Sequence, residues 1–359
     1  MTEFAGLCEK LSILDDGDAL AVLDQESGKL LEHRQLRKDP RYKTVWDRSY
    51  ANELGRLCQG IGTGTAADGK RVAGTNTFHV IPFADIPHLK RKEIIYTKVV
   101  CEIREGKDDV NRTRITVGGN LICYPGDAGT NTASLELIKL MLNSVISRKG
   151  ARFACIDIKN FYLDMPMEDP EYVRIKITDI PAEFILEYGL AGKEDNNGWI
   201  YFEIRRGCYG LPQAGILANN LLRGRLEEEG YYEAHSTPGL WRHKWRPIQF
   251  CLIVDDFGVE YVGIEHFNHL LTLLKKYHQI QTNMAGDKIA GIDVQWDYPS
   301  KRVRIDMKKY IDTLLLTLDW PTPRKPQLSP FMPHLLHTAK ILNTRRKRTH
   351  HPHFQLNAF

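Results

Sequence analysis

The chain has 359 residues, 42% of them hydrophobic and 26% charged, with a formal net charge of +4. This composition excludes a disordered or fibrous chain and suits one large folded unit or two to three subdomains, while so small a net charge does not by itself argue for nucleic acid. Seven scattered cysteines without a Cys-x-x-Cys pair exclude a disulfide framework or zinc site, and no apolar run approaches the ~20 residues of a bilayer span, so a soluble intracellular chain with no membrane partner is expected, in cytoplasm or nucleus.

Residues 1 to about 28 are acid-rich (Glu3, Glu9, Asp15, Asp16, Asp18), and a partly disordered leader is expected over 1–40. From Lys29 to Arg48 the sign reverses. The run Gly60 to Thr65 lacks the Lys-Ser/Thr of a phosphate-binding loop and reads as a flexible connection. Ile94 to Arg104 and Arg112 to Leu121 read as two strands of a hairpin carrying Arg104, Arg112 and Arg114. Asn131-Thr132 is expected to cap a helix with Leu135, Ile138, Leu142 and Val145 on one face, ended by Gly150. Alternation in the strand Ala151 to Ile158 places Phe153, Cys155 and Asp157 on one face.

Mixed segments follow to Arg206. Gly207 to Gln213 then leads into a helix through Leu217, Leu221, Leu222 and Leu226, stopped at Gly230. Gln249 to Val254 reads as a buried strand, Phe257-Gly258 as a turn and Val259 to Tyr261 as the returning strand, with Asp255 and Asp256 at the hairpin tip. Adjacent carboxylates there are either two solvated turn residues or a pair that shares a cation, and the stretch alone favours neither. A helix over Phe267 to Tyr277, strands over Ile289 to Tyr298 and Val303 to Asp306, and a last helix near Leu314 to Leu318 are expected. From Pro321 the chain is proline-rich, then basic, and reads as an unfolded tail, either nucleic-acid attracting or merely solvated.

Asp157 ends one apolar strand and Asp255-Asp256 stand at the tip of another. If these strands are neighbours, three carboxylates converge on a patch able to hold two Mg²⁺ ions, the arrangement that serves nucleotidyl transfer.

Ile156-Asp157-Ile158-Lys159-Asn160-Phe161-Tyr162-Leu163, Tyr209-Gly210-Leu211-Pro212-Gln213-Ala214 and Ile253-Val254-Asp255-Asp256, in that order, resemble the reverse transcriptase of copia-type LTR retrotransposons. Supporting stretches include Trp46 with Glu53-Leu54, the Arg112 to Ile115 strand and Ala290 to Asp293, and the similarity covers roughly 41–318. It implies an α+β right-hand polymerase: a fingers-like region over 41–150, an antiparallel-sheet palm over 151–262, a connection and partial helical thumb over 263–320, and a basic tail over 321–359. The implied activity is RNA-directed DNA polymerisation with Mg²⁺, or Mn²⁺ in its place, using a template-primer and deoxynucleoside triphosphates. Asp157 and Asp255 would be the principal metal ligands, with Asp256 supporting and the Ile158 carbonyl available to the nucleotide-side ion. Tyr162 would exclude a ribose 2′-hydroxyl, Gln213 would lie in the nucleotide pocket, and Arg114 with Arg112 would reach the triphosphate.

Two positions depart from the family pattern: Ile253 where a tyrosine is usual, and Pro212 where lysine is commoner. No acid follows Asp319, so an RNase H metal site is not expected in this chain, nor are the protease and integrase motifs of a complete polyprotein. An isolated polymerase segment is the implied reading. Its alternatives are a catalytically inactive remnant that at most binds nucleic acid, or another palm-type nucleotidyl transferase such as a cyclase.

Overall fold

The structure is a computed structural model that describes residues 21–24, 26–62, 71–104, 109–308 and 310–312. The expected helix at Leu314 to Leu318, the tail over 321–359, residues 1–20 of the leader and 63–70, which include the second half of the Gly60 to Thr65 run, lie outside the described residues. The architecture below is that of the unit ending at Asp306.

Among the described residues two large sheets, both largely antiparallel, with a two-stranded and a three-stranded sheet beside them, make an α+β fold. At the N-terminal side, β1 (Ala21–Leu23) and β2 (Leu30–Glu32) form a hairpin that runs into α1 (His33–Lys38). The longer α2 (Lys43–Leu57) buries Trp46, Tyr50, Leu54 and Leu57, which recur at helical spacing. Its apolar stripe covers a five-stranded sheet of order β3-β8-β7-β4-β5, made of β3 (Phe78–Ile81), β4 (Ile95–Ile103), β5 (Asn111–Val117), β7 (Pro166–Lys176) and β8 (Trp199–Arg206). The β4–β5 hairpin has the expected pairing, with Val99 opposite Ile115 and Glu102 opposite Arg112, while its tip at 105–108 is outside the described residues.

The second sheet has the order β13-β6-β12-β11-β10-β9 and is antiparallel throughout. It contains β6 (Ala151–Ile158), β9 (Tyr231–Glu233), β10 (Leu240–His243), β11 (Ile248–Ile253), β12 (Asp256–Val262) and β13 (Ile280–Asn283). One face of β6 buries Ala154, Ile156 and Ile158 against α5 (Ala214–Glu228) and α6 (Ile264–Lys275), whose Leu222, Leu226, Phe267, Leu270 and Leu274 complete that core. Period-two alternation therefore leaves Phe153, Cys155 and Asp157 on the other face. The stretch 151–262 is divided between the sheets, because β7, the short α4 (Ala182–Glu187) and β8 leave for the five-stranded sheet before the chain returns.

Three local expectations are corrected. The helix α3 (Leu135–Ser147) is capped by Ser134, whose Oγ accepts the Leu137 N–H at 3.2 Å, and not by Asn131-Thr132. The expected strand Ile289 to Tyr298 is broken: β14 (Lys288–Ile289) and β15 (Ile292–Asp297) form a hairpin through Ala290 and Gly291 at φ of 48° and 76°, and β16 (Arg302–Asp306) pairs with β15.

The third correction concerns the acidic hairpin. Its turn is Val254-Asp255, since Ile253 pairs with Asp256 and Phe257-Gly258 lies inside β12. Val254 takes a φ of 57°, a conformation β-branched residues rarely adopt, so the tip is held by the strands on either side. Gly258 serves packing and not the turn. A Cβ there would stand 2.2 Å from Ile289 Cδ1 and 3.0 Å from Phe153 Cζ.

Candidate functional site

Asp157 on β6 is paired directly with Asp256 on β12, so their side chains share one face of the sheet, and Asp255 occupies the turn immediately before. The Ile158 N–H donates to the Asp255 carbonyl at 3.1 Å and holds the turn against the end of β6. All three carboxyls are partly shut from solvent, which disfavours their charged forms. Burial pushes Asp157 up, with Lys159 acting in the opposite sense. Burial also raises Asp255, to which Asp157 adds, while a backbone hydrogen bond and Arg114 oppose the rise. Asp256 is pushed up to about 6, first by burial and then by Asp255 and Asp157.

Facing these acids is a wall of arginines. Alternation along β5 buries Thr113 and Ile115 and leaves Arg112 and Arg114 toward a cleft of about 560 Å³, which also has Arg56, Arg104, Asp157 and Asp255 in its lining. Burial and the charges of Arg114, Arg104 and Arg56 push the Arg112 guanidinium below its ordinary range. The Arg104 Nε is shut from solvent without a partner among the described residues, although its Nη2 reaches Asp109 Oδ2 at 3.4 Å. Cations held this close to one another call for an anion with several oxygens.

The two walls are tied together by a residue pair on α2. Buried Glu53 accepts from Arg56 Nε at 2.9 Å and from the Ile115 N–H at 3.2 Å, and Arg56 Nη1 donates to Asn160 Oδ1 at 2.6 Å. Thus β5, which bears the arginines, is linked to the bend after β6, which bears Asp157. A second tie is the segment before α5. Its Tyr209 carbonyl accepts the Val117 N–H at 2.8 Å, and Gly210, at φ of 97°, approaches so closely that a Cβ would lie 2.1 Å from the Val117 carbonyl.

That docking brings the Tyr209 ring under the Arg114 guanidinium at 5.0 Å, and the Tyr162 ring meets Tyr209 edge-on at 5.4 Å. Burial and then the Asp255 charge push the Tyr162 phenol up, which places Tyr162 beside the acidic turn. Tyr162 does not itself line the arginine cleft, and neither do Asp256 or Gln213, whereas Arg112, Arg114, Asp157, Ile158 and Asp255 do. Gln213 is buried at the start of α5, where its Nε2 donates to Glu171 Oε1 at 3.2 Å and its Oε1 has no partner among the described residues. Arg56 and Asn160 were not singled out by sequence reasoning, and their individual types carry no signal that would have done so.

Among the described residues no three His, Cys, Asp or Glu side chains form a ready-made metal cage. The donor set of hard carboxylate oxygens at Asp157, Asp255 and Asp256 nevertheless suits Mg²⁺, which keeps several waters and takes further oxygens from substrate phosphates. None of the described helices is long and apolar enough to cross a membrane.

No protein-family model matches the chain, and no curated protein does. Among solved structures, telomerase from Candida albicans in complex with a TWJ fragment of telomeric RNA is similar at 12% identity and a TM-score of 0.37, over 71% of this chain and 49% of that one. Apo telomerase from Candida tropicalis, truncated from its C-terminal domain, is similar at 11% identity and a TM-score of 0.37, over 74% of this chain and 60% of that one. The chain therefore covers less than two thirds of the length of either, and likeness at this level assigns no residue a role.

Proposed function

We propose that the chain is a template-directed nucleotidyl transferase of the reverse-transcriptase type, an RNA-directed DNA polymerase domain of a copia-type retrotransposon. In that reading the six-stranded sheet with α5 and α6 is the palm, and the five-stranded sheet with α2 belongs to the fingers. The observation that carries the proposal is the opposition of Asp157 and Asp255 to four arginines across one cleft. Few reactions need clustered carboxylates and clustered guanidinium groups within reach of one ligand, and transfer from a nucleoside triphosphate is one of them.

Arg112 and Arg114 bind triphosphate oxygens, and Arg56 and Arg104 lower the cost of bringing that charge into the cleft. Asp157, Asp255 and the Ile158 carbonyl, with Asp256 in support, would hold Mg²⁺ or Mn²⁺. When bound, such ions lower the pKa of a coordinated hydroxyl and neutralise charge on phosphate oxygens. The primer 3′-hydroxyl would attack the α-phosphorus in line and give up its proton to solvent, the new O–P bond forming as the bond to the β-phosphate breaks, with pyrophosphate leaving toward the arginines. Tyr162, whose ring meets Tyr209 edge-on, would be the bulky ring that excludes a 2′-hydroxyl. Gln213 acts through packing, supporting the Tyr209-Gly210 segment from its place beside Glu171.

Ile253 favours a second reading, that of a nucleic-acid-binding remnant without turnover, because the primer end would lose an aromatic contact beside the turn. Template choice separates the two. With an RNA template and the four deoxynucleotides supplied singly, only the complementary one is incorporated under the polymerase reading. Binding of template-primer without incorporation at any Mg²⁺ or Mn²⁺ concentration would support the remnant.

A further inference from the structure

The turn between β10 and β11 carries Lys244, Trp245 and Arg246 at the end of β11 remote from the aspartates. Six residues of strand separate the two turns, roughly 20 Å. Trp245 is 69% exposed, whereas Trp241 on the same hairpin is 1% exposed. A lone exposed indole is ordinary, but this one is held and surrounded by charge.

The holding is done by His243, which is buried. Its Nδ1 accepts the N–H groups of both Trp245 and Arg246 at 3.2 Å, and its Nε2–H donates to the Glu229 carbonyl at 3.1 Å, so the ring is neutral and in one tautomer. The Lys244 N–H donates to the Gly230 carbonyl at 3.0 Å, which pins the other side of the turn. Arg246 lies over the indole, 4.1 Å from its centroid, with its Nη1 3.4 Å from His266 Nδ1 and its Nε shut from solvent and without a partner among the described residues. Lys244 on the turn and Arg242 near the end of β10 are exposed. Among the described residues none of these three cations has an acidic ion-pair partner, and the acids of this corner, Glu265 and Glu229, stand beside His266 at 3.4 Å and His269 at 3.9 Å.

We propose that this turn is a second nucleic-acid contact, a platform on which a base of a single strand stacks against Trp245 while Arg242, Lys244 and Arg246 take the flanking phosphates. The Trp245 ring meets the His243 ring at 5.2 Å and the His266 ring at 6.5 Å, both T-shaped, yet stays 69% exposed, so a planar base can stack on its exposed part while a phosphodiester supplies the anions that the protein withholds here. An acidic peptide answers the charge but not the ring. An anionic membrane requires an apolar face larger than one indole. The contact lies outside the aspartate cleft and does not depend on that cleft being a polymerase site.

The experiment uses the full chain with Arg112→Ala and Arg114→Ala in the background, so that the cleft contributes least, and a short labelled single-stranded RNA of mixed sequence as probe. Fluorescence anisotropy is read across a salt series. Trp245→Ala weakens binding by roughly tenfold, Trp245→Phe restores most of it, and Lys244→Ala lowers the slope of log affinity against log salt by about 0.7. The melting temperature of each variant, unchanged because the side chains are exposed, separates lost contact from lost fold. Affinity and salt slope unchanged by Trp245→Ala and Lys244→Ala would overturn the proposal. It would equally be overturned if Trp245→Ala reduced binding to an acidic peptide or to phosphatidylserine vesicles and left the RNA unaffected. Failure of primer extension bears on the cleft and leaves this outcome untouched.

Discussion

Asp256 and Asp157 stand opposite one another on neighbouring antiparallel strands, and Asp256 titrates near 6 because burial, Asp255 and Asp157 all resist its ionisation. An aspartate in the unfolded chain titrates near 3.8. A carboxyl whose folded pKa is raised holds its proton more tightly in the fold. The stability it contributes is therefore complete below 3.8 and is lost as the pH rises through about 6. Asp256→Asn is expected to stabilise the protein at neutral pH by about 1–2 kcal/mol, after discounting for the solvent that still reaches the group, and to have no such effect in acid. Thermal unfolding across pH checks this. Added Mg²⁺ should narrow the difference by stabilising the wild type.

The arginine wall predicts a charge-specific loss. Under the proposed function, Arg114→Ala removes a charge-assisted contact to the triphosphate, and it releases the Tyr209 ring that the guanidinium covers. The expected result is a rise of roughly 10–100-fold in the KM for the deoxynucleotide, with the affinity for template-primer much less affected. Arg114→Lys should recover only part, since an ammonium lacks the planar fork.

Under the proposed polymerase function, Tyr162 is the candidate for sugar discrimination. Held edge-on by Tyr209, its ring is expected to act by bulk, so Tyr162→Val should raise kcat/KM for a ribonucleotide relative to the deoxynucleotide by roughly tenfold. Tyr162→Phe should leave the ratio unchanged. Parallel incorporation assays with each nucleotide measure it.

Two glycines are predicted to rank clearly. Gly258→Ala meets Ile289 Cδ1, the far end of a flexible side chain, and should cost about 1–3 kcal/mol. Gly210→Ala meets the Val117 carbonyl at a φ of 97°, where neither backbone nor conformation can yield, and should cost more. Denaturant melts of the two variants give the order.

Much of this was legible in the sequence because it follows period two or a fixed turn chemistry. The β6 alternation, the β4–β5 hairpin and the helix after Gln213 lie where those patterns put them. Helix α2 was not read, since Lys43, Asp47, Arg48, Glu53 and Arg56 crowd the stripe of Trp46, Tyr50, Leu54 and Leu57. Charge at a buried position, as at Glu53, makes sense only once Arg56 and the Ile115 N–H are in place around it. The sequence pattern puts the acidic turn three residues late because Phe257-Gly258 has the composition of a turn. Its glycine is instead demanded by Ile289 and Phe153, contacts from distant parts of the chain that local pattern cannot supply.

The most direct test of the central claim is single-nucleotide extension of a DNA primer on an RNA template, comparing the wild type with Asp157→Asn and Asp255→Asn in Mg²⁺. The account predicts extension by the wild type and its loss, by at least roughly a thousandfold, in both variants, with folding retained. Extension that persists undiminished in either variant would contradict it.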